Sequence, residues 1–197
     1  MIKYLFVFLL LTQLIPTGWA NTGAAESVYV NLGTHTEYFN KVQTDSSGDT
    51  RKFEIAPTVG AGIVINFPYD RFKFLPELNW VLPHDGLNNN VIKNLFMLRA
   101  DIGYDPLDWL RFRLGSSIMH LNQHGRGGTT KINNGNGTST FFNPDENRSS
   151  INTTFDLGAE ILFEDWALRL QTYTYSLFAH DQRQLSYTIF ISYYWDQ

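Results

Sequence analysis

The chain has 197 residues, no cysteine, 15% aromatic and 17% charged residues, with 15 Lys and Arg against 19 Asp and Glu. The length suits one domain, and the lack of cysteine excludes a disulfide framework, a thiolate metal site and a cysteine nucleophile. A net charge of −4 without a basic cluster excludes nucleic acid as the main partner, since phosphate binding concentrates Lys and Arg. So many aromatics among so few charges also exclude a disordered chain.

At the N-terminus, Lys3 precedes an apolar run over 4–15 broken only by Thr12 and Gln13, followed by Pro16 and then Gly18-Trp19-Ala20. One positive charge, a short apolar stretch and small residues at the third and first positions before a cut describe a secretory signal peptide. The expectation is a signal peptide over 1–20 and a mature domain over 21–197. An anchor helix would need roughly 20 apolar residues, more than this run supplies.

Beyond Ala20 the pattern has a period of two. Over 26–40, Val28, Val30, Leu32, Thr34, Thr36 and Tyr38 alternate with Tyr29, Asn31, Gly33, His35 and Glu37. The same split recurs over 53–67, 72–82, 96–104, 110–118, 151–163, 166–174 and 185–195, which predicts eight strands. None of the 48 positions in the eight apolar sets, from Val28 to Trp195, is charged. The opposite parity holds the acids Glu37, Glu54, Glu77, Asp101, Asp156 and Glu160 and the bases Arg71, Lys73, Arg99, Arg111, Arg113 and Arg169.

Parity alone does not separate a soluble barrel, with charges outside, from a membrane barrel, with charges inside. The connections do. Long segments at 40–52, 83–91 and 122–150, with a modest one at 179–183, alternate with tight turns at 68–70, 105–108 and 164–165. That alternation puts all short turns on one side, as in barrels with periplasmic turns and extracellular loops. Phe67, Tyr69, Phe72, Tyr104, Trp109, Phe163, Trp166, Tyr193 and Trp195 fall at strand ends on the short-turn side, where rings suit the headgroup layer. The predicted fold is all-β: an eight-stranded antiparallel transmembrane up-and-down barrel, with both termini in the periplasm.

On these residues the chain resembles the small eight-stranded bacterial outer-membrane β-barrels, the group that includes the OmpA membrane domain, OmpX and OmpW. The resemblance covers 26–195 as architecture. Its sharpest local element is the last strand, where Leu185, Tyr187, Ile189, Ile191, Tyr193 and Trp195 alternate before Asp196 and Gln197. The resemblance implies that Tyr187, Ile189, Ile191, Tyr193 and Trp195 form the signal read by the barrel-assembly machinery. It also implies a bacterial outer-membrane location, with membrane lipid as a partner.

An eight-stranded barrel is just wide enough for side chains to fill it, so a solute pore is not expected. Glu54, Arg71, Lys73, Glu77, Arg99, Asp101, Arg111, Arg113, Asp156, Glu160 and Arg169 are read as a lumen ion-pair plug, since unpaired charge there is costly. Hairpin register sets Lys73 and Glu77 near Arg99 and Asp101, with Arg111 and Arg113 next. Gly60, Gly62, Gly103, Gly115 and Gly158 share the inward parity and would make room for the arginines. Pro57 and Pro76 fall within strands, where each removes a ladder bond, so a bulge or widened pairing is expected at both.

For chemistry, the topology sends His35, His84, His120, His124 and His180 to or beyond the extracellular end, without metal-ligand spacing. A lipid hydrolase of the lipid A or phospholipid deacylase kind would need a serine beside a histidine. His120-Leu121-Asn122 lacks it, and Ser116 lies four residues away, roughly 13 Å along a strand. No cofactor motif appears. Within 122–150, Thr129-Thr130-Lys131-Ile132 and Thr138-Ser139-Thr140-Phe141-Phe142 flank an Asn-Gly turn, which predicts a hairpin continuing the strands above the membrane. Phe141 and Phe142 would pack on neighbouring loops or, less favoured, anchor a partner. The resulting reading is a monomeric, non-enzymatic structural or surface-interaction barrel with a filled lumen, porin-like in fold only. Its alternative is a lipid-modifying hydrolase using His120.

Overall fold

The computed structural model describes residues 25–37, 42–43, 50–51, 54–69, 71–86, 91–133, 137–174 and 185–196. The first strand, β1 (Ala25–Glu37), is followed by a two-residue pair, β2 (Val42–Gln43) and β3 (Thr50–Arg51). Then come β4 (Glu54–Asn66), β5 (Phe72–Asp85), β6 (Val91–Leu107) and β7 (Leu110–Gly125). A hairpin of β8 (Thr129–Asn133) and β9 (Thr138–Phe142) precedes β10 (Asn147–Leu162), β11 (Trp166–Thr174) and β12 (Leu185–Asp196). Eight of these, β1, β4, β5, β6, β7, β10, β11 and β12, close into one barrel in that order, each antiparallel to its chain neighbours. β12 returns to β1 in unbroken register from Ser27 opposite Asp196 to Glu37 opposite Ser186. The expected eight-stranded antiparallel barrel is thus the observed one. The signal peptide assigned to 1–20 and the loop at 179–183 with His180 lie outside the described residues.

Alternation sorts the two faces as the period-two pattern requires. Leu32, Ile55, Leu78, Leu98, Leu114, Ile118, Leu157, Leu170, Ile189 and Ile191 are exposed on the outer wall, while Arg99, Asp101, Arg113, Asp156, Glu160 and Arg169 are fully buried inside. This inversion of a soluble protein is what a hydrocarbon solvent demands. No helix among the described residues is long and apolar enough to cross a membrane. At the short-turn end Phe72 meets Tyr104 at 5.0 Å between ring centroids, and Tyr193 lies between Trp166 (4.8 Å) and Trp195 (4.6 Å). Towards the other end Trp80 stacks on Phe96 at 5.5 Å, eight residues along β5 from Phe72. At the usual rise and tilt that leaves roughly 20 Å between the two aromatic levels, close to the height of a transmembrane barrel's apolar band.

Three of the predicted boundaries move. β5 runs on to Asp85 and β6 starts at Val91, so much of the expected 83–91 loop is strand, and a register shift lies between Val81 and His84, where Pro83 sits. A second shift between Tyr104 and Leu107 contains Pro106 and carries β6 to within two residues of β7. Pro57 and Pro76 behave differently from these two. The β4–β5 ladder begins just past Pro57, at Thr58, and skips the rungs at Pro76 and Leu75, yet its register is the same on both sides. Widened pairing suffices there because each proline remains paired across its other edge, Pro57 with Thr34 and Pro76 with Ala100.

The third boundary concerns 122–150. β7 and β10 stay paired as far as His124 and Asn147, so barrel wall extends well into the expected loop. Gly125 N–H then donates to Glu146 O (3.2 Å), Gly127 N–H to Pro144 O (2.9 Å) and Asn143 N–H to Gly128 O (3.0 Å). Gly127 (φ 68°) and Gly128 (φ 85°) turn the chain through left-handed backbone that other residues rarely adopt, which detaches the β8–β9 ladder from the barrel sheet.

Candidate functional site

The lumen is layered. Near the short-turn end Glu77 of β5 is the hub. Its Oε2 accepts from the Tyr29 hydroxyl (2.9 Å), from Arg113 Nη1 (3.3 Å) and from Arg169 Nη1 (2.5 Å), and its Oε1 accepts from Arg169 Nη2 (3.0 Å) and Asn79 Nδ2 (2.5 Å). Arg99 Nη1 stands 3.7 Å from the same carboxylate. Arg113 turns its Nε to Glu160 (3.0 Å), which also accepts from the Tyr194 hydroxyl (2.5 Å). Arg99 and Asp101 are joined through Gln171, which accepts from Arg99 at 3.0 Å and donates to Asp101 at 2.9 Å. Guanidinium planes lie over rings, Arg169 over Phe190 at 4.3 Å and Arg113 over Tyr29 at 5.4 Å.

Below this layer Arg111 grips Asp105 in two parallel bonds, Nε to Oδ1 (2.7 Å) and Nη2 to Oδ2 (2.9 Å), and approaches Glu160 at 3.7 Å. A vestibule of about 590 Å³, lined by Arg71, Lys73, Asp105, Arg111 and Tyr194 among others, opens there at the short-turn end. Above the charged layer comes an apolar one of Ala56, Val81, Leu95, Met97, Met119 and Tyr173, all buried, with Leu121 packed against it. Higher still, Lys93 Nζ bridges Glu54 (3.1 Å) and Glu37 (3.4 Å), and His84 Nε2 lies 3.7 Å from Glu54.

Several residues therefore sit elsewhere than sequence register suggested. Arg71 is exposed in the turn before β5 and donates to Pro106 O at 2.7 Å, so it is not part of the lumen network. Lys73 is opposite Gly103 rather than beside Arg99, and donates to Asn66 at 2.7 Å at the rim. Glu54 belongs to the opposite mouth, with an apolar layer between it and Glu77. Asp156 accepts from Thr154 (3.0 Å). His35 lies two residues from the long-loop end of β1, as expected, with its ring buried and hydrogen-bonded to Tyr173. His84 is strand, not loop.

The inward glycines also do a different job from the one expected. A Cβ at Gly62 would strike Tyr29, one at Gly60 would strike Asn79, and one at Gly115 would strike Asp101. Only Gly103 meets an arginine, Arg111, at 3.2 Å. Tyr29, Asn79, Gln171, Phe190 and Tyr194 were missing from the sequence-based network, although the same parity that sent the arginines inward sends them inward too.

On the surface, Phe141 and Phe142 are 52% and 90% exposed, which overturns the expectation that they pack on neighbouring loops. β8 and β9 pair only with each other, from Thr129 opposite Phe142 to Asn133 opposite Thr138, so nothing in that sheet covers the rings. Tyr187, Ile189, Ile191, Tyr193 and Trp195 lie along one side of β12, with Ile189, Ile191 and Trp195 about half exposed to the outside. His120 faces outward between Phe96 of β6 and Ile151 of β10, neither of which is a nucleophile.

No protein-family model and no curated protein sequence matches the chain. Solved structures do. Ail, the attachment invasion locus protein of Yersinia pestis, superposes with a TM-score of 0.50 at 9% identity over 87% of this chain and 99% of that one. The N-terminal β-barrel domain of Pseudomonas aeruginosa OprF gives 0.47 at 14% identity over 87% and 100%, and Neisserial surface protein A gives 0.47 at 10% over 89% and 99%. These are small eight-stranded outer-membrane β-barrels. Identities so low speak to fold, and the fold agrees with the apolar outer wall around a charged interior. The chain is an eight-stranded transmembrane β-barrel of the bacterial outer-membrane type.

Proposed function

We propose that this protein is a non-enzymatic structural or surface-interaction barrel whose lumen is plugged and whose partner contacts are made by the hairpin above the wall. The observation that carries the reading is the closed interior: Glu77, Asp101, Glu160, Arg99, Arg113 and Arg169 are at most 2% exposed and are held by one another and by Tyr29, Gln171 and Tyr194. Such a stack leaves no aqueous path, and the apolar layer above it adds a dry second seal. Short turns would face the periplasm and the β8–β9 hairpin the exterior, with Phe141 and Phe142 as contact residues and open strand edges available for strand addition. The outer face of β12, from Tyr187 to Trp195, would be what the assembly machinery reads, and the barrel would stand as a monomer in lipid.

Two measurements test this. Planar-bilayer recording should give no stable large conductance; reproducible open channels at neutral pH would refute the plug. Cells carrying wild type, His120→Ala or a deletion of 129–142 are then compared for lipid acylation and surface binding. Loss of binding in the deletion alone supports the reading, and an acylation change abolished by His120→Ala overturns it in favour of a lipid hydrolase.

A further inference from the structure

One cross-strand row of the lumen brings two carboxyl groups to the same glycine. Asp101 of β6 and Asp156 of β10 are both opposite Gly115 of β7, one on each side, and both are fully buried. Asp101 leans over the glycine: a Cβ on Gly115 would stand 2.4 Å from its Oδ1, so only a residue without a side chain leaves that carboxylate room. One oxygen of each acid is engaged. Asp101 Oδ2 accepts from Gln171 Nε2 at 2.9 Å, and Asp156 Oδ1 accepts from Thr154 Oγ1 at 3.0 Å, with Ser117 Oγ bonded to the same hydroxyl at 2.5 Å. The other two, Asp101 Oδ1 and Asp156 Oδ2, are buried without a hydrogen-bond partner among the described residues.

The charges of this layer do not balance. Four acids, Glu77, Asp101, Asp156 and Glu160, are buried with three guanidinium groups, those of Arg99, Arg113 and Arg169. Arg111 does not make up the difference, because Asp105 holds it in two bonds at the rim. Glu77 is bonded to Arg113 and Arg169, and Glu160 to Arg113. Asp101 has only Arg113 at 3.8 Å, and Asp156 makes no ion pair among the described residues. The surplus negative charge therefore falls on the row of Gly115. Burying an unpaired carboxylate is costly, and two carboxylates that face one site do not both stay ionised unless a positive charge joins them.

We propose that Asp101 and Asp156 form a buried site for one monovalent cation, carried as a proton or as an alkali-metal ion, that completes the charge balance of the plug. The inference rests on the closed lumen of the reading above. A single charge is what the count requires; a divalent ion would overshoot it. The oxygens at hand, two carboxylates and the hydroxyls of Ser117 and Thr154, suit a hard cation rather than a soft metal. The charged and titratable groups around the row are Arg99 on β6, Arg113 on β7, Glu77 on β5 and Tyr173 on β11, opposite Asp156 and hydrogen-bonded to His35 of β1, with Glu160 and Arg169 paired two inward rows below. Because the folded barrel binds the cation and the open chain does not, folding and uptake are one linked equilibrium.

The test unfolds the full barrel from phospholipid vesicles in urea, as wild type and as Asp156→Asn, whose amide removes the surplus charge and can donate to Asp101 Oδ1. Above the ordinary aspartate range, where unfolded carboxylates are ionised, wild type should depend on cation concentration by one bound cation more than the variant. Its folding equilibrium then changes up to about tenfold more for a tenfold change in proton, sodium or potassium concentration, with choline holding the ionic strength. Dependence on pH alone, stability falling as pH rises, together with a carboxylic-acid carbonyl band in the infrared spectrum that Asp156→Asn abolishes, assigns a proton. Dependence on sodium or potassium that the variant lacks assigns the metal ion. Equal dependence in both proteins without an acid carbonyl band in wild type, the result a bridging water would give, overturns the proposal. Should Asp156→Asn fail to fold, Asp101→Asn is read in the same way, and a wild type showing neither the band nor an ion dependence overturns the proposal without any variant. Planar-bilayer recording reports separately on the closed lumen, so a silent barrel with equal dependences rejects the cation site alone.

Discussion

The two layers of the lumen are held together by opposite means. The charged layer is directional: Glu77 on β5 takes both terminal nitrogens of Arg169 on β11, across the barrel, and Arg113 on β7 links Glu77 to Glu160 on β10. Tyr29 and Tyr194 tie β1 and β12 to the same pair of carboxylates, so most of the wall converges on two acids. The apolar layer of Met97, Met119, Leu95, Val81 and Ala56 holds mainly through packing, with Met97 Sδ accepting from Arg99 Nη2 at 3.6 Å. One layer fails if a single partner is removed, because a charge is stranded; the other degrades in proportion to the volume lost.

The largest expected effect follows from that contrast. Glu77→Ala strands Arg169 and Arg113 and should cost about 3–5 kcal/mol in urea unfolding of the barrel from vesicles. Met119→Ala, at an equally buried position, should cost about 2–3 kcal/mol, the low end for a buried methionine because flexible Met97 and Leu121 can relax into the space. A Met119 variant less stable than the Glu77 variant would reverse the comparison. Arg111→Ala ranks after these, since its partner Asp105 lies at the rim where water can solvate a lone carboxylate. Its loss should cost roughly 1–3 kcal/mol in the same assay, and a cost equal to that of Glu77→Ala would mean that the vestibule is drier than its geometry implies.

A sharper comparison asks whether either layer seals alone. Glu77→Ala and the double variant Met97→Ser/Met119→Ser should each remain closed in single-channel recording, because the other layer stays in place. An open channel in only one of them would identify the working seal.

The smallest effect belongs to the mouth, above the spanning part of the wall. Burial disfavours protonation of His84, but the nearby Glu54 carboxylate and the Leu82 carbonyl, 3.0 Å from Nδ1, outweigh it and raise its pKa above 6.5. The stabilisation is therefore complete below the ordinary value and is lost as pH rises through the raised one. NMR titration should show the His84 midpoint falling in Glu54→Gln; an unmoved midpoint would leave the carboxylate without a role there.

How much of this was legible in the sequence depends on whether the signal was periodic or pairwise. Alternation in a strand is a one-dimensional property, so the eight segments, the uncharged outer parity, the aromatic rim and the hairpin at 129–142 could all be read from the order of residues. Parity also sent Arg99, Asp101, Arg113, Glu160 and Arg169 inward. Which of them meet depends on barrel closure and strand stagger, which set positions across the lumen that no local pattern encodes. Hence Lys73 and Arg71 were misplaced by counting along one hairpin, and Tyr29 was not seen as a ligand of Glu77 although it shares the inward face. Register shifts at Pro83 and Pro106 escaped for a related reason, since a bulge depends on the partner strand as much as on the proline. The sequence by itself determined the strands and the inside-out polarity. Only the closed barrel decided their partners, the apolar layer that separates Glu54 from Glu77, and the exposure of Phe142, because each depends on distances between segments that are far apart in the chain.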